Sequence, residues 1–286
     1  MGPSGHNMKP SEGGEKVDLS KTNIVSYPDR GAWGNPKYRG NTSGWLIRDL
    51  IEFFRPRSVL DPMEGSGTTR DVCRELGVEY DGFDLKGGFD ALTSQLPPKR
   101  WDMIFLHPPY WNIIRYSDDP RDLSNCGSFG EFMQKLFTLI DRLREYLTEG
   151  GVLVLQIGDV RKNGEYFPLG AYVAVFHRKE LKAKIIKVQH NVASNSRIYG
   201  GRFIPIMHEE IYVLKGGKKI TWKELVIRTL KELGGEASLA ELYAALSNHP
   251  KRLENPTFQA TIRRTLQESE AERVRPGLWA WIEGRR

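Results

Sequence analysis

Residues 57–76 read RSVLDPMEGSGTTRDVCREL, and this stretch decides the fold. Arg57-Ser58-Val59-Leu60 has the make-up of a short buried strand that ends at Asp61-Pro62. Gly65 and Gly67 follow in a tight turn, and Thr68 to Leu76 has helical spacing. Glycines at that turn let the backbone approach a ligand closely. The helix behind them offers free N–H groups and a positive dipole end to an anion. The third glycine of GxGxxG is missing, and no Lys follows as in a phosphate-binding Walker loop.

Working outward, Asn41-Thr42-Ser43 offers N-cap oxygens to an amphipathic helix running from Trp45 to Phe54. Val78 to Asp84 and Trp101 to Leu106 (WDMIFL) read as the next two strands. Phe129 to Leu147 has helical spacing and is expected to stop at Glu149-Gly150-Gly151. Val152 to Ile157 reads as an apolar central strand buried on both faces. A helix over about 168–179 and strands at Ala183–Gln189 and His208–Leu214 complete the series. Such alternation predicts an α/β fold, a doubly wound Rossmann-like sheet.

Residues 1–22 are small, polar and charged and read as a disordered tail, with order expected from about Tyr27 to Trp33. The long α/β part spans 23–215, and 216–220 is a Gly/Lys linker. From 221 to 286 the pattern changes to three short helices (Trp222–Leu233, Leu239–Leu246, Pro256–Glu268) and a terminal hairpin. Ser238-Leu239-Ala240-Glu241 is a capping box, and Asn255-Pro256 starts the third helix. That outline predicts a small winged-helix-like domain.

The chain has 286 residues, 42 Lys and Arg against 36 Asp and Glu, and 39% hydrophobic residues. This composition excludes a disordered chain and supplies a real core. Two cysteines, Cys73 and Cys126, make no disulfide framework, and no apolar run approaches a membrane span. A cytoplasmic protein with no membrane partner is expected, and no metal cluster is predicted. Residues 216–286 hold 13 basic and 9 acidic residues, so four of the six net positive charges lie there.

A second motif, His107-Pro108-Pro109-Tyr110, directly follows WDMIFL. Two prolines and an aromatic residue at the end of a buried strand make a rigid platform beside the glycine-rich crevice. With DPMEGSGTT before it, the sequence resembles the S-adenosylmethionine-dependent DNA amino methyltransferases, which act on adenine N6 or cytosine N4. Met63 replaces the usual Phe of the first motif, and His107 replaces the Asp, Asn or Ser of the second. The likeness covers most of residues 30–215.

The resemblance implies S-adenosyl-L-methionine as cofactor, held by Thr42, Ser43, Asp61, Pro62, Gly65, Ser66, Gly67 and Thr68. Asp84 is then placed for the ribose hydroxyls and Asp90 for the adenine amino group. His107 and the Pro108 carbonyl would accept the two N–H bonds of the target amino group, beside Pro109, with Tyr110 stacked on the base. Such a base must leave the duplex stack. Neutral imidazole has an acceptor nitrogen and imidazolium has none, so loss of activity on protonation of His107 is expected.

DNA is the implied partner, with a restriction nuclease as a further one. Arg115 in the loop after HPPY and Arg197 and Arg202 in the Gly/Ser/Arg loop 191–202 are candidate phosphate contacts. Gln259, Arg263 and Arg264 on the third terminal helix, and Arg273 and Arg275 on the hairpin, are the others. Two further readings stay open: an RNA amino methyltransferase of the tRNA guanosine type, and a catalytically silent DNA-binding regulator.

Overall fold

The computed structural model describes residues 16–190, 204–217 and 220–281. In the first part, β1 (Ile24–Ser26), α1 (Gly44–Phe54), β2 (Ser58–Asp61), α2 (Thr68–Leu76), β3 (Glu79–Gly82) and β4 (Trp101–Leu106) follow in order. Then come α3 (Phe129–Arg144), β5 (Leu147–Ile157), the hairpin β6 (Val160–Lys162) and β7 (Glu165–Phe167), α4 (Leu169–Phe176), β8 (Leu181–Val188) and β9 (His208–Lys215). Seven strands form one sheet in the order β1-β8-β9-β5-β4-β2-β3. β2 pairs in parallel with both β3 and β4, and β4 with β5, while β9 runs antiparallel between β5 and β8.

Pleating sends alternate side chains to opposite faces. Leu60, Ile104, Leu106, Leu153, Leu155 and Leu214 pack with α3 and α4. Val59, Met103, Phe105, Val152, Val154 and Val213 pack with α1 and α2. Helices therefore cover both faces, as a doubly wound α/β sheet requires. The chain leaves β2 for β3 on one side and returns to β4 on the other. That reversal opens a crevice beyond the carboxyl ends of β2 and β4, where ligands bind in such sheets.

Several expected boundaries move. Residues 16–22 do not hang free: the Val17 N–H donates to Asp49 at 3.1 Å and its side chain packs on the α1 face. Order starts before Tyr27, because β1 adds to the sheet edge beside β8. α3 ends at Arg144, and Glu149–Gly151 lies inside the residues of β5, where the β4 pairing shifts register. α4 stops at Phe176, three residues short of the expected end.

The C-terminal unit contains α5 (Trp222–Glu232), β10 (Glu236–Ser238), α6 (Leu239–Leu246), α7 (Phe258–Glu268), β11 (Ala271–Arg275) and β12 (Leu278–Trp281). Thr221 and Ser238 each close a capping box. Leu225, Leu230, Leu242, Ile262, Leu266 and Trp279 form its core. β12 lies between β11 and the unforeseen β10. This unit abuts the sheet part through Glu145, which accepts from both Arg228 terminal nitrogens (2.6 and 2.9 Å) and lies 3.2 Å from His249 Nε2. Arg100 pairs with Glu254 at 2.7 Å, and Asn248 donates to Gln95 at 2.8 Å.

Candidate active site

A cavity of about 1200 Å³ opens at the crevice, lined by both motifs: Asp61 to Ser66 on one side, His107 to Tyr110 on the other. Gly65 (φ 52°) and Gly67 (φ 78°) are left-handed, a conformation that glycine adopts without strain. They turn the chain into α2, whose N-terminus no side chain caps. Its first N–H groups, which have no acceptor within the helix, are thus left to a ligand or water.

Asp61 is 3% exposed, and its Oδ1 accepts from the Met63 N–H at 3.1 Å. Burial, helped by the nearby Glu64 and Asp84 carboxylates, pushes its carboxyl up to about 7. Asp84 caps the turn after β3: Oδ1 accepts from Lys86 and Oδ2 from the Gly65 N–H, both at 2.9 Å. It ties the glycine loop to the second strand. Asp90 lines the cavity but caps its own turn, accepting from Leu92 N–H (2.9 Å) and the Thr93 hydroxyl (2.7 Å).

Of the pair before α1, Thr42 lines the cavity and Ser43 does not. Ser43 holds the N-cap position, with its hydroxyl 3.4 Å from the Asp29 carbonyl. Gly67 contributes through backbone shape and stays off the lining itself.

His107 lies at the end of β4, its Nε2 2.8 Å from the Tyr110 hydroxyl. That hydroxyl donates to Glu209 Oε1 at 2.6 Å. Glu209 Oε2 accepts from Lys187 Nζ (2.6 Å) and Gln156 Nε2 (2.9 Å), and the Thr42 hydroxyl donates to Gln156 Oε1 at 2.7 Å. The β8–β9 register puts Lys187 directly opposite Glu209. The Tyr110 ring packs so closely on Gly158 that an added Cβ there would stand 2.7 Å from ring Cε2.

Electrostatics follow from burial. Burial pushes the His107 imidazole down to about 4, and only Glu209 pulls it the other way. Burial opposes the Glu209 charge, but Lys187 and the hydrogen bonds to it hold the carboxyl down to about 2. Tyr110 is raised well above the ordinary phenol range by burial and the Glu209 charge.

Sequence reasoning does not reach Glu209, Gln156 and Lys187, although a lone Gln inside the apolar run VLVLQI is a visible signal. The loop after Tyr110 folds back through hydrogen bonds to Asp122, and its Tyr116 stacks on Tyr38 (5.9 Å, 21°) at the cavity wall. Arg115 is exposed and pairs with Asp118 at 2.9 Å, away from the lining. Arg197 and Arg202 lie outside the described residues. Gln259, Arg263 and Arg264 on α7 and Arg273 and Arg275 on β11 are exposed. Arg263 donates to the Tyr243 hydroxyl at 3.1 Å, and Arg264 sits 4.0 Å from Glu268. Among the described residues no cluster of three His, Cys, Asp or Glu could hold a metal ion.

A family model described as DNA methylase matches residues 101–276. The type II methyltransferase M.MjaII of Methanocaldococcus jannaschii is 26% identical over 112 residues, which cover 37% of this chain and 20% of that protein. The type II methyltransferase M.Cfr9I of Citrobacter freundii is 31% identical over 93 residues, 32% of this chain and 30% of that protein. The matched segments thus span less than a third of either relative's length. A solved structure of a candidate DNA modification methylase from Thermus thermophilus, complexed with S-adenosyl-L-methionine, is 25% identical. It aligns over 50% of this chain and 61% of that one, with a TM-score of 0.32.

Proposed function

The chain belongs to the DNA methylase family, and from that premise we propose that it methylates an exocyclic amino nitrogen of a base in DNA. One observation carries the reading: the glycine-rich motif and HPPY, from neighbouring parallel strands, line the same cavity. The donor set fits S-adenosyl-L-methionine. Asp61 is a buried carboxyl with no ion pair among the described residues, and an incoming ammonium of an amino acid would favour its ionised form. The uncapped start of α2 suits its carboxylate. Asp84, Thr42 and the backbone of 65–68 would hold the rest; Asp90, engaged in its own turn, is a weaker partner for the adenine. When bound, the cofactor supplies an electrophilic methyl group.

The protein's own part concerns the amino group. That nitrogen shares its lone pair with the ring and is a poor nucleophile. Acceptors on its two N–H bonds favour tetrahedral nitrogen and free the lone pair. His107 and the Pro108 carbonyl are those acceptors, and Pro109 stiffens the platform. Burial keeps the imidazole neutral above about pH 4, so it stays an acceptor over the ordinary range. The Tyr110 ring would stack on a base turned out of the duplex.

The C-terminal unit is read as a winged-helix module on DNA, with α7 supplying base and phosphate contacts and β11 tracking the backbone. The type II relatives support a companion restriction nuclease, tested by protection of methylated plasmid from digestion. A DNA substrate supports a cytoplasmic location, and no described helix is long and apolar enough to cross a membrane. The decisive test is labelled methyl transfer to duplex DNA and to tRNA side by side. Transfer to DNA alone is expected; transfer to tRNA alone replaces this reading with RNA modification, and none to either leaves a silent binder.

A further inference from the structure

We infer that Glu209, through the Tyr110 hydroxyl, fixes His107 as the tautomer protonated on Nε2, leaving Nδ1 as the bare acceptor on the cavity wall. Counting protons leads there. A carboxylate only accepts, so Lys187, Gln156 and Tyr110 must all donate to Glu209. The phenol has one proton, and at 2.6 Å it is committed to Oε1. Its oxygen can then only accept from His107 Nε2, 2.8 Å away, and that nitrogen must carry hydrogen. A neutral imidazole has one N–H, so Nδ1 keeps its lone pair. Nδ1 has no hydrogen-bond partner among the described residues, and the ring lines the cavity.

Charge and burial keep this state single. Glu209 is 7% exposed, Gln156 is fully buried and Lys187 sits at 9%. The Tyr110 phenol stays protonated and the imidazole takes no second proton above about pH 4. Thr42 closes the chain at the cofactor end by donating to Gln156 Oε1, which aims the Gln156 amide nitrogen at Glu209. Glu209 is thus a positioning residue: it acts on the amino group only through Tyr110 and His107. Using Nδ1 as the amino acceptor rests on the methyl-transfer reading, whereas the tautomer itself does not.

Glu209→Gln makes the count run backwards. Lys187 and Gln156 still donate to the outer position, so the new carbonyl oxygen must sit there. The new amide nitrogen then faces Tyr110 and donates to it. The phenol proton turns to Nε2, and Nδ1 acquires the hydrogen.

NMR of the imidazole nitrogens in the full chain, with His107 signals identified by their loss in His107→Asn, reads this directly. The parent should show protonated Nε2 and bare Nδ1, and Glu209→Gln should show the reverse. Methyl transfer should fall about 10²-fold in that variant, in line with loss of a general acid–base partner, with cofactor affinity kept. Tyr110→Phe leaves the Glu209–Lys187 pair intact and serves if the first variant does not fold. Part of its Nδ1 population should then carry hydrogen. A parent with hydrogen on Nδ1, or a Tyr110→Phe spectrum identical to the parent's, overturns the inference. The expected tautomers in a chain that methylates no DNA would sustain it while sinking the DNA reading.

Discussion

Asp61 and His107 are displaced by the same cause, burial, in opposite directions. Asp61 rises from its ordinary 3.8 to about 7, so the folded chain binds that proton more tightly than the unfolded chain does. This contribution to stability is complete below about pH 4 and is lost as pH rises through about 7. Asp61→Asn should therefore raise thermal stability at about pH 8, by at most about 4 kcal/mol, from a shift of roughly three units at about 1.4 kcal/mol each. It should also abolish cofactor binding. Melting at about pH 5 and pH 8 with titration calorimetry checks both; a variant less stable at the higher pH contradicts the account. His107 behaves otherwise. The sequence predicts an acid loss of activity as this ring protonates, and burial moves that loss down to about pH 4. A rate profile without a histidine step between about pH 5 and 7 is expected, together with a fall of about 10²-fold or more in His107→Ala.

At the scale of elements, the turn into α2 sets the approach to the cavity. Gly67→Ala forces an L side chain to φ 78°, which costs about 1–2 kcal/mol and displaces the first amides of the helix. Denaturant unfolding should register that loss, and cofactor affinity should drop with it; unchanged affinity would remove the α2 amides from the site. The same elements tell what a sequence can disclose. α2 and β4 keep their expected bounds because a glycine turn or an apolar run marks each end locally. β1, β6, β7 and β10 are invisible there: each has three residues, and its existence depends on a partner elsewhere in the chain. The misjudged end of α3 has a similar origin. Gly150 and Gly151 read as a helix terminator, but they lie inside β5, in the stretch where its register against β4 shifts. In the site, both motifs are legible as contiguous signatures. Glu209, Gln156 and Lys187 are not, because three strands must be in register before their polar ends meet.

For the whole molecule, the proposed function divides between the sheet part, which carries both motifs, and the C-terminal unit, read as the DNA grip. Replacing Arg263, Arg264, Arg273 and Arg275 with Ala should weaken DNA binding and lower its salt dependence by roughly one unit of slope per lost phosphate contact. Cofactor affinity should not change, since none of the four lines the cavity. Fluorescence anisotropy across a salt series measures both, and an unaltered slope would mean that DNA is gripped elsewhere. The joint between the two parts is itself a buried charge cluster. Burial opposes the Glu145 charge, yet His249 and Arg228 hold the carboxyl low. Arg228→Ala should cost about 1–3 kcal/mol by taking two donors from Glu145 and leaving it His249 alone, a loss visible in calorimetric melting.

The Glu145 joint has a geometric consequence. If the C-terminal unit is the DNA grip proposed above, its seating on Arg228, His249 and the Arg100–Glu254 pair would hold α7 at a fixed span from His107, where a loose tether would let the cavity wander over many neighbouring bases. On a helical polymer a fixed span is a ruler: the modified base would fall at a constant number of steps, and on a constant side, from the bases read by the grip.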